Sequence, residues 1–306
     1  MEQRNIGSLK VSVVGIGCNN FGWRIDASAT VQVVDAALDA GINFFDTADI
    51  YAKGESEQFL GKALGPRRNQ IVLATKFGLP MDEERKGAKP VYIKQAIEDS
   101  LRRLNTDHID LYQLHKPDPT TPIADTLATL DELVKAGKVR EIGCSNFSAE
   151  QIREAEAAVK AGAARFASVQ NDYSMLNREP ELEVLPECRR SKLAFIPYFP
   201  LANGLLTGKY RKGHPLPQGT RGGDGFGPKV FTEENMNKAE ALIQFATSNG
   251  HTLLELAISW LVAQPAVASV IAGAKTPDQA RSNASAAHWK LSPEQLRAVD
   301  ELLRTE

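Results

Sequence analysis

The chain predicts an α/β fold, a TIM (β/α)8 barrel, from the recurrence of strand-length apolar runs, the helical patterns between them, and the residues on which the runs end. The runs fall near residues 12–16, 42–46, 71–76, 109–114, 139–144, 167–171, 194–198 and 268–272. A helical pattern follows most of them, and strands alternating with helices build parallel sheets. Three consecutive runs close on ionisable residues: Phe44-Phe45 on Asp46, with Tyr51 five residues later, Ile71 to Thr75 on Lys76, and Ile109 to Leu114 on His115. In one parallel barrel these four side chains emerge at the same rim, where barrel enzymes carry their chemistry. With 306 residues, 42% of them hydrophobic, the chain fills a large core, and residues 1–306 are read as one barrel domain.

The elements follow in order. Asn5 to Val11 is expected to form a hairpin closing the bottom of the barrel ahead of the first strand. Helices are expected over Val31 to Ala40, stopped by Gly41, over Glu55 to Leu64, stopped by Gly65, over Tyr92 to Leu104, and over Ile123 to Ala136, stopped by Gly137. Ser148 stands three residues before Gln151, the capping-box spacing, and opens a helix to about Lys160. Leu201 to Phe231, after the seventh strand, is rich in Gly and Pro, including Gly213, Pro215, Gly222, Gly223, Gly227 and Pro228, and reads as a long mobile loop. Two helices, Glu233 to Asn249 and Leu253 to Ala263, then precede the eighth strand, one more than the repeat requires. A last helix, about Pro293 to Arg304, is expected on the outside of the barrel. The rival architecture is a doubly wound open sheet with a glycine-rich phosphate turn. Gly15 and Gly17 supply two of its glycines, but Asn20 stands where the third belongs.

Composition narrows the function. Lys plus Arg number 36 against 38 Asp plus Glu, a net charge of -2, which gives no global field for nucleic acid or an anionic membrane. No apolar run approaches the roughly 20 residues that span a bilayer, and the N-terminal residues show no signal-peptide core, so a cytoplasmic protein is expected. Cys18, Cys144 and Cys188 are few, odd in number and far apart, which argues against a disulfide framework and a clustered metal site.

Taken singly, Asp46 reads as a loop cap, Tyr51 as a half-buried aromatic, Lys76 as the partner of an acid and His115 as a core histidine. Together, four different reactive groups at consecutive strand ends need their desolvation compensated, and a working site supplies the compensation. A free Tyr, with a pKa of about 10, is a weak acid at neutral pH, and a nearby ammonium lowers that value. Lys76 is the candidate ammonium, Asp46 its anchor, and neutral His115 a hydrogen-bond donor to a substrate oxygen. Tyr51 would protonate a carbonyl oxygen while hydride reaches the carbon, and since side chains carry no hydride, a nicotinamide or flavin is required.

The segments Phe45-Asp46-Thr47-Ala48-Asp49-Ile50-Tyr51, Ala74-Thr75-Lys76, Leu111-Tyr112-Gln113-Leu114-His115 and Gly137 to Phe147 resemble, in order and spacing, the aldo-keto reductase family. Pro197 to Tyr210 leans the resemblance toward the branch of bacterial general stress reductases and potassium-channel beta subunits. The resemblance implies a TIM barrel whose tetrad falls on Asp46, Tyr51, Lys76 and His115. It implies that Ser145, Asn146 and Gln170 hold a nicotinamide carboxamide and that Tyr198 stacks on the ring. The loop from Leu201, with Asn203, matches a strap over the pyrophosphate. Gly273, Lys275, Thr276, Gln279 and Asn283 match the adenosine end, with Thr276 capping a helix and Lys275 facing a 2'-phosphate.

Two departures accompany the match: Phe199 stands where many relatives carry Ser, and Gln279 where several carry Arg. Gln279 weakens the case for a strict NADP preference, while Lys275 keeps NADP(H) expected ahead of NAD(H). The chain reads as a monomeric or weakly oligomeric enzyme interconverting a small carbonyl compound and its alcohol, without metal, and with Phe21, Trp23, Tyr51 and the segment around Met81 as the substrate wall. Two other readings stand beside it: a nucleotide-binding regulatory module like a channel beta subunit, and a barrel isomerase or lyase using Lys76 as a Schiff-base amine.

Overall fold

The computed structural model describes residues 1–225 and 229–304; Gly227 and Pro228 of the glycine-rich loop lie outside the described residues. Two short antiparallel strands, β1 (Gln3–Ile6) and β2 (Leu9–Ser12), precede eight parallel ones: β3 (Val14–Gly17), β4 (Phe44–Asp46), β5 (Val72–Phe77), β6 (Ile109–Leu114), β7 (Val139–Ser145), β8 (Phe166–Asp172), β9 (Ala194–Tyr198) and β10 (Val270–Gly273). The sheet order is β10-β3-β4-β5-β6-β7-β8-β9. The ring closes where Phe195 accepts from Ala268 N at 2.9 Å and donates to Ala266 O at 2.8 Å. Among the described residues, ten helices surround it: α1 (Ala27–Asp39), α2 (Glu55–Leu64), α3 (Pro90–Leu104), α4 (Ile123–Lys135), α5 (Ala149–Ala158), α6 (Val184–Ser191), α7 (Glu233–Ser248), α8 (Leu253–Val262), α9 (Pro277–Ser285) and α10 (Pro293–Leu303).

Side chains alternate along each strand, which explains why the runs read as continuously apolar and yet end in polar residues. Phe45, Leu73, Phe77, Tyr112, Leu114, Val169 and Phe195 are buried in one core with Val34, Ile93, Ile97, Leu130, Ile152 and Trp260 of the helices. The alternate positions Phe44, Val72, Ala74, Leu111, Ile196 and Ile271 form a second core with Ile6, Leu9 and Val11 of the hairpin, which plugs the bottom as expected. Ser8 N donates to Glu141 Oε1 at 2.7 Å and Arg4 Nη1 to Val267 O at 2.6 Å, pinning the plug to the barrel. With the bottom filled, the upper ends of the same inward rows, Asp46, Lys76 and Gln113, face the opposite mouth.

Three expectations shift. Helix α1 starts at Ala27 rather than Val31, because Asp26 accepts from Ala29 N and caps it four residues earlier. Ser148 and Gln151 do form a capping box, but α5 stops at Ala158. The first part of the loop expected from Leu201 is packed: Ala202, Leu205, Leu206 and Tyr210 are buried in the main core. Of the helices around it, α8 is buried against the barrel, and α10 packs outside against α7.

Candidate active site

After Asp46 the chain leaves β4 but stays beside β5, with Thr47 N donating to Ala74 O at 2.9 Å and Asp49 N to Lys76 O at 3.1 Å. Tyr51 then precedes three residues with positive φ, Ala52 (47°), Lys53 (54°) and Gly54 (95°), which turn the chain into α2. A left-handed non-glycine residue costs about 1–2 kcal/mol, so packing must hold this turn. Arg103 does so: a Cβ on Gly54 would lie 2.8 Å from its Cδ. Its Nε donates to buried Glu57 at 2.6 Å, while the other Glu57 oxygen accepts from Thr75 at 2.6 Å, the residue before Lys76. One carboxylate thus ties the Tyr51 turn to the Lys76 strand. Asp49 shares this pocket, its Oδ2 accepting from Tyr92 at 3.3 Å. Burial, then the Glu57 charge, push its carboxyl up to about 7 against the pull of Arg103.

The floor of the mouth is an ion pair. Lys76 Nζ donates to Asp46 Oδ2 at 2.5 Å and to Thr47 O at 2.9 Å. Asp46 Oδ1 accepts from the amides of Gln113 at 3.0 Å and Gln170 at 2.9 Å, so both oxygens of a fully buried carboxylate are satisfied. Tyr51 stands over the ammonium, which lies 5.3 Å from its ring centroid, and meets the His115 ring edge-on at 5.8 Å. Burial alone would lower the Lys76 pKa, but Asp46 and the Tyr51 phenol outweigh it and hold the ammonium charged. For Tyr51 the sequence expectation is met only in the sign of the lysine's effect: the ammonium pulls its pKa down, yet burial raises it further, and the net displacement is upward. His115 is pushed down to about 3 by burial and then by Lys76, which keeps the imidazole neutral. Its Nδ1 is buried without a hydrogen-bond partner.

Above this floor opens a cavity of about 790 Å³. Asp46, Tyr51 and His115 line its base, with Ser145, Asn146, Gln170, Tyr198, Phe199, Leu201, Asn203, Gly273, Lys275, Gln279 and Asn283 around it. Ser145 Oγ donates to Gln170 O at 2.7 Å, and Asn146 bridges His115 O at 2.9 Å to the Tyr198 hydroxyl at 2.8 Å. Phe199, Ala202 and Asn203 carry positive φ, folding the segment after β9 over the mouth. That segment is fastened by Arg24 to Asp224 at 3.3 Å, Arg221 to Asn203 at 3.1 Å and Lys275 to Gly219 O at 3.1 Å. Among the described residues, Lys209, Arg221 and Lys275 line the cavity with no carboxylate in ion-pair range. These three cations without an ion pair, together with the Thr276-capped N-terminus of α9, give a cavity of this size a lining that fits the phosphates of a dinucleotide.

Not every expected residue reaches the cavity. Lys76 sits fully buried beneath it, and Thr276 serves as the cap of α9, accepting from Gln279 N at 3.3 Å. Phe21 is fully buried in the core, Trp23 is 49% exposed beside Arg24, and Met81 forms a turn with Arg85, so none of the three lines the cavity. Leu79, Lys116 and Phe199 take the wall instead. Gln113, which donates to Asp46 beside Gln170, was missed in the sequence, although its place two residues before His115 in β6 marks it as inward. Arg24, Lys209 and Arg221 come from loops, where no periodicity marks an inward residue.

A parallel barrel with a buried Asp–Lys pair, a phenol, a neutral imidazole and a cation-lined cavity at the C-terminal mouth defines an oxidoreductase of the dinucleotide-dependent barrel type. Residues 13–304 match the Aldo/keto reductase family, and the chain belongs to it. It is 34% identical to "Aldo-keto reductase YhdN" of Bacillus subtilis over 99% of this chain and 94% of that protein. It is also 34% identical to a "Probable voltage-gated potassium channel subunit beta" of Arabidopsis thaliana, covering 94% of this chain and 91% of the plant protein. The glycerol dehydrogenase AKR11B4 from Gluconobacter oxydans superposes with a TM-score of 0.84 at 31% identity, over 97% of this chain and 92% of that one.

Proposed function

We propose that the protein reduces aldehydes or ketones to alcohols, or runs the reverse oxidation, with NADP(H) preferred over NAD(H) and Tyr51 as general acid and base. The observation that carries this is the stack of Asp46, Lys76, Tyr51 and His115 at the base of the cation-lined cavity. A bound nicotinamide would supply the hydride. Ser145, Asn146 and Gln170 would hold its carboxamide, Tyr198 its ring, and Lys209, Arg221 and Lys275 its phosphates. Lys275 stands on the loop before α9, where a 2'-phosphate would meet both its charge and the helix N-terminus.

The proton chemistry rests on this chain's residues. Tyr51 gives its proton to the oxygen that becomes the alcohol, and the resulting phenolate faces the Lys76 ammonium. Asp46 keeps that ammonium charged and in place, and the two glutamines keep Asp46 from turning toward the mouth. Neutral His115 has no charge to compete for the proton and orients the carbonyl oxygen by donating a hydrogen bond. The fold over the mouth by residues 199–225 screens the reaction from water, which strengthens each of these interactions.

The test is a titration of NADPH and NADH by protein fluorescence, followed by absorbance decay with a panel of aldehydes. Turnover that vanishes in Tyr51→Phe while binding persists supports the reading, and absence of nucleotide binding overturns it. The likeness to the plant channel beta subunit favours a second reading, a nucleotide-binding regulatory module, which tight binding without turnover of any carbonyl or alcohol would support.

A further inference from the structure

We propose that the substrate carries an oxyanion, a carboxylate or a phosphate, which Lys116 holds on the side of the mouth opposite the cofactor phosphates; this rests on the reductase reading above. The argument begins with the order of strands. In the ring β10-β3-β4-β5-β6-β7-β8-β9, β6 and β10 stand four places apart, on opposite sides of the barrel. Lys275 follows β10, whereas Lys116 follows β6 and comes directly after His115. Lys116 therefore lines the same cavity as Lys275 but at the end where Tyr51 and His115 would meet a carbonyl.

Charge at that end is unbalanced. Asp46 is neutralised by Lys76, and the other cavity-lining acid, Asp278, lies on α9 beyond β10. Asp118, the acid nearest Lys116 in sequence, is already engaged by Ala88 N at 2.8 Å, Thr120 N at 2.9 Å, Thr120 Oγ1 at 2.7 Å and Thr121 Oγ1 at 2.9 Å. Among the described residues Lys116 makes no ion pair or side-chain hydrogen bond, and it lines the cavity. Leu79, Tyr198 and Phe199 of this wall carry no charge at neutral pH, and the cation that stands over Phe199, Arg221 at 5.7 Å from its ring, adds to the positive field.

An unmatched ammonium with no acid beside it selects for a negative ligand. Adjacent Cα atoms are about 3.8 Å apart, so an anion held by Lys116 lies within a side chain's length of the oxygen beside His115. The geometry suits carbonyl compounds whose anionic group is a few bonds, or one aromatic ring, from the reacting carbon. Lys116 is exposed, and an exposed ion pair changes affinity by roughly fivefold or less.

The experiment compares 4-formylbenzoate with its neutral methyl ester in the wild type, Lys116→Met and Lys116→Arg, with 4-formylphenyl phosphate as a parallel arm that separates carboxylate from phosphate. The ratio of kcat/KM for acid over ester should fall by roughly fivefold in Lys116→Met, chiefly through KM, and return in Lys116→Arg. Binding of benzoate to the NADPH complex, followed by protein fluorescence, should weaken by the same factor. An unchanged ratio with active enzyme overturns the anion site and leaves the reductase standing. Benzoate binding that depends on Lys116 with no turnover of either aldehyde keeps the anion site and sinks the reductase.

Discussion

Asp49→Asn should make the protein more stable at pH 8 than the wild type, by an amount that grows with pH. The Asp49 carboxyl, 1% exposed, is raised from 3.8 to about 7. Below 3.8 the acid is protonated both folded and unfolded, and the shift costs nothing. From there to about 7 the unfolded chain releases the proton while the folded chain keeps it, so stability falls with rising pH, and above 7 the full penalty remains. Three pH units at 1.36 kcal/mol each give a total on the order of 4 kcal/mol, of which about 3 kcal/mol accrues between pH 5 and pH 8. The substituted amide is neutral and nearly isosteric, its carbonyl can still accept from Tyr92, and Arg103 keeps Glu57 as partner. Glu57, Arg103, Tyr92 and Tyr112 are the groups that face this carboxyl. The assay is urea unfolding of both proteins at pH 5, 6, 7 and 8, read as the shift in midpoint at constant slope. A stability difference that is flat with pH, or that favours the wild type increasingly toward pH 8, would refute the reasoning.

Four further outcomes are expected. Tyr51→Phe should lower kcat by about 10²–10⁴ with NADPH affinity retained, and an active variant would remove Tyr51 as the acid. Lys76→Met strands Asp46 in the core with two amides alone, and should cost about 3–5 kcal/mol in urea unfolding; a loss near zero would mean that the ion pair seen here is not maintained. Because His115 is held near 3, His115→Gln should remove no limb of the pH–rate profile between pH 5 and 8. It should also relieve an instability that the wild type develops as pH falls from about 6.5 toward 3, where the unfolded imidazole gains a proton and the folded one resists it. Lys275→Ala should weaken NADPH about tenfold more than NADH, and equal losses for both would take Lys275 off the 2'-phosphate.

Three of the four residues expected at the mouth were legible because strand periodicity is strict, whereas Tyr51 lies in the turn beyond β4. A residue that ends an inward row must face the mouth, and Asp46, Lys76 and His115 each stand two positions beyond an inward Phe44, Ala74 or Gln113. Ser145, Gln170 and Tyr198 were named through the resemblance to the family, and they too lie at or near the ends of β7, β8 and β9. Gln113 was missed although it obeys that rule, since a neutral amide one step below the mouth carries no reactive signature until its partner Asp46 is seen. Helix starts were less legible: Asp26 caps α1 over polar residues that carry no apolar stripe, so the pattern of hydrophobics alone began four residues late.

The substrate wall failed for a different reason, and the failure bears on Lys116. Phe21, Trp23 and Met81 were chosen as large apolar side chains close in sequence to strand ends, yet burial drew Phe21 into the main core while Trp23 stayed beside Arg24 at the surface. Loop side chains have no alternation to fix their direction, so apolar size predicts core as readily as cavity. A charge on a loop is different: it avoids the core, and one that lines a cavity without an acid partner is left available to a ligand, within the limit that solvent screening sets. Lys116 passed unnoticed in the sequence because it follows His115 at a point where the strand has ended. With the ring order setting it across from Lys275, the anion site proposed above predicts that substrates at this end are ranked by charge as well as by shape.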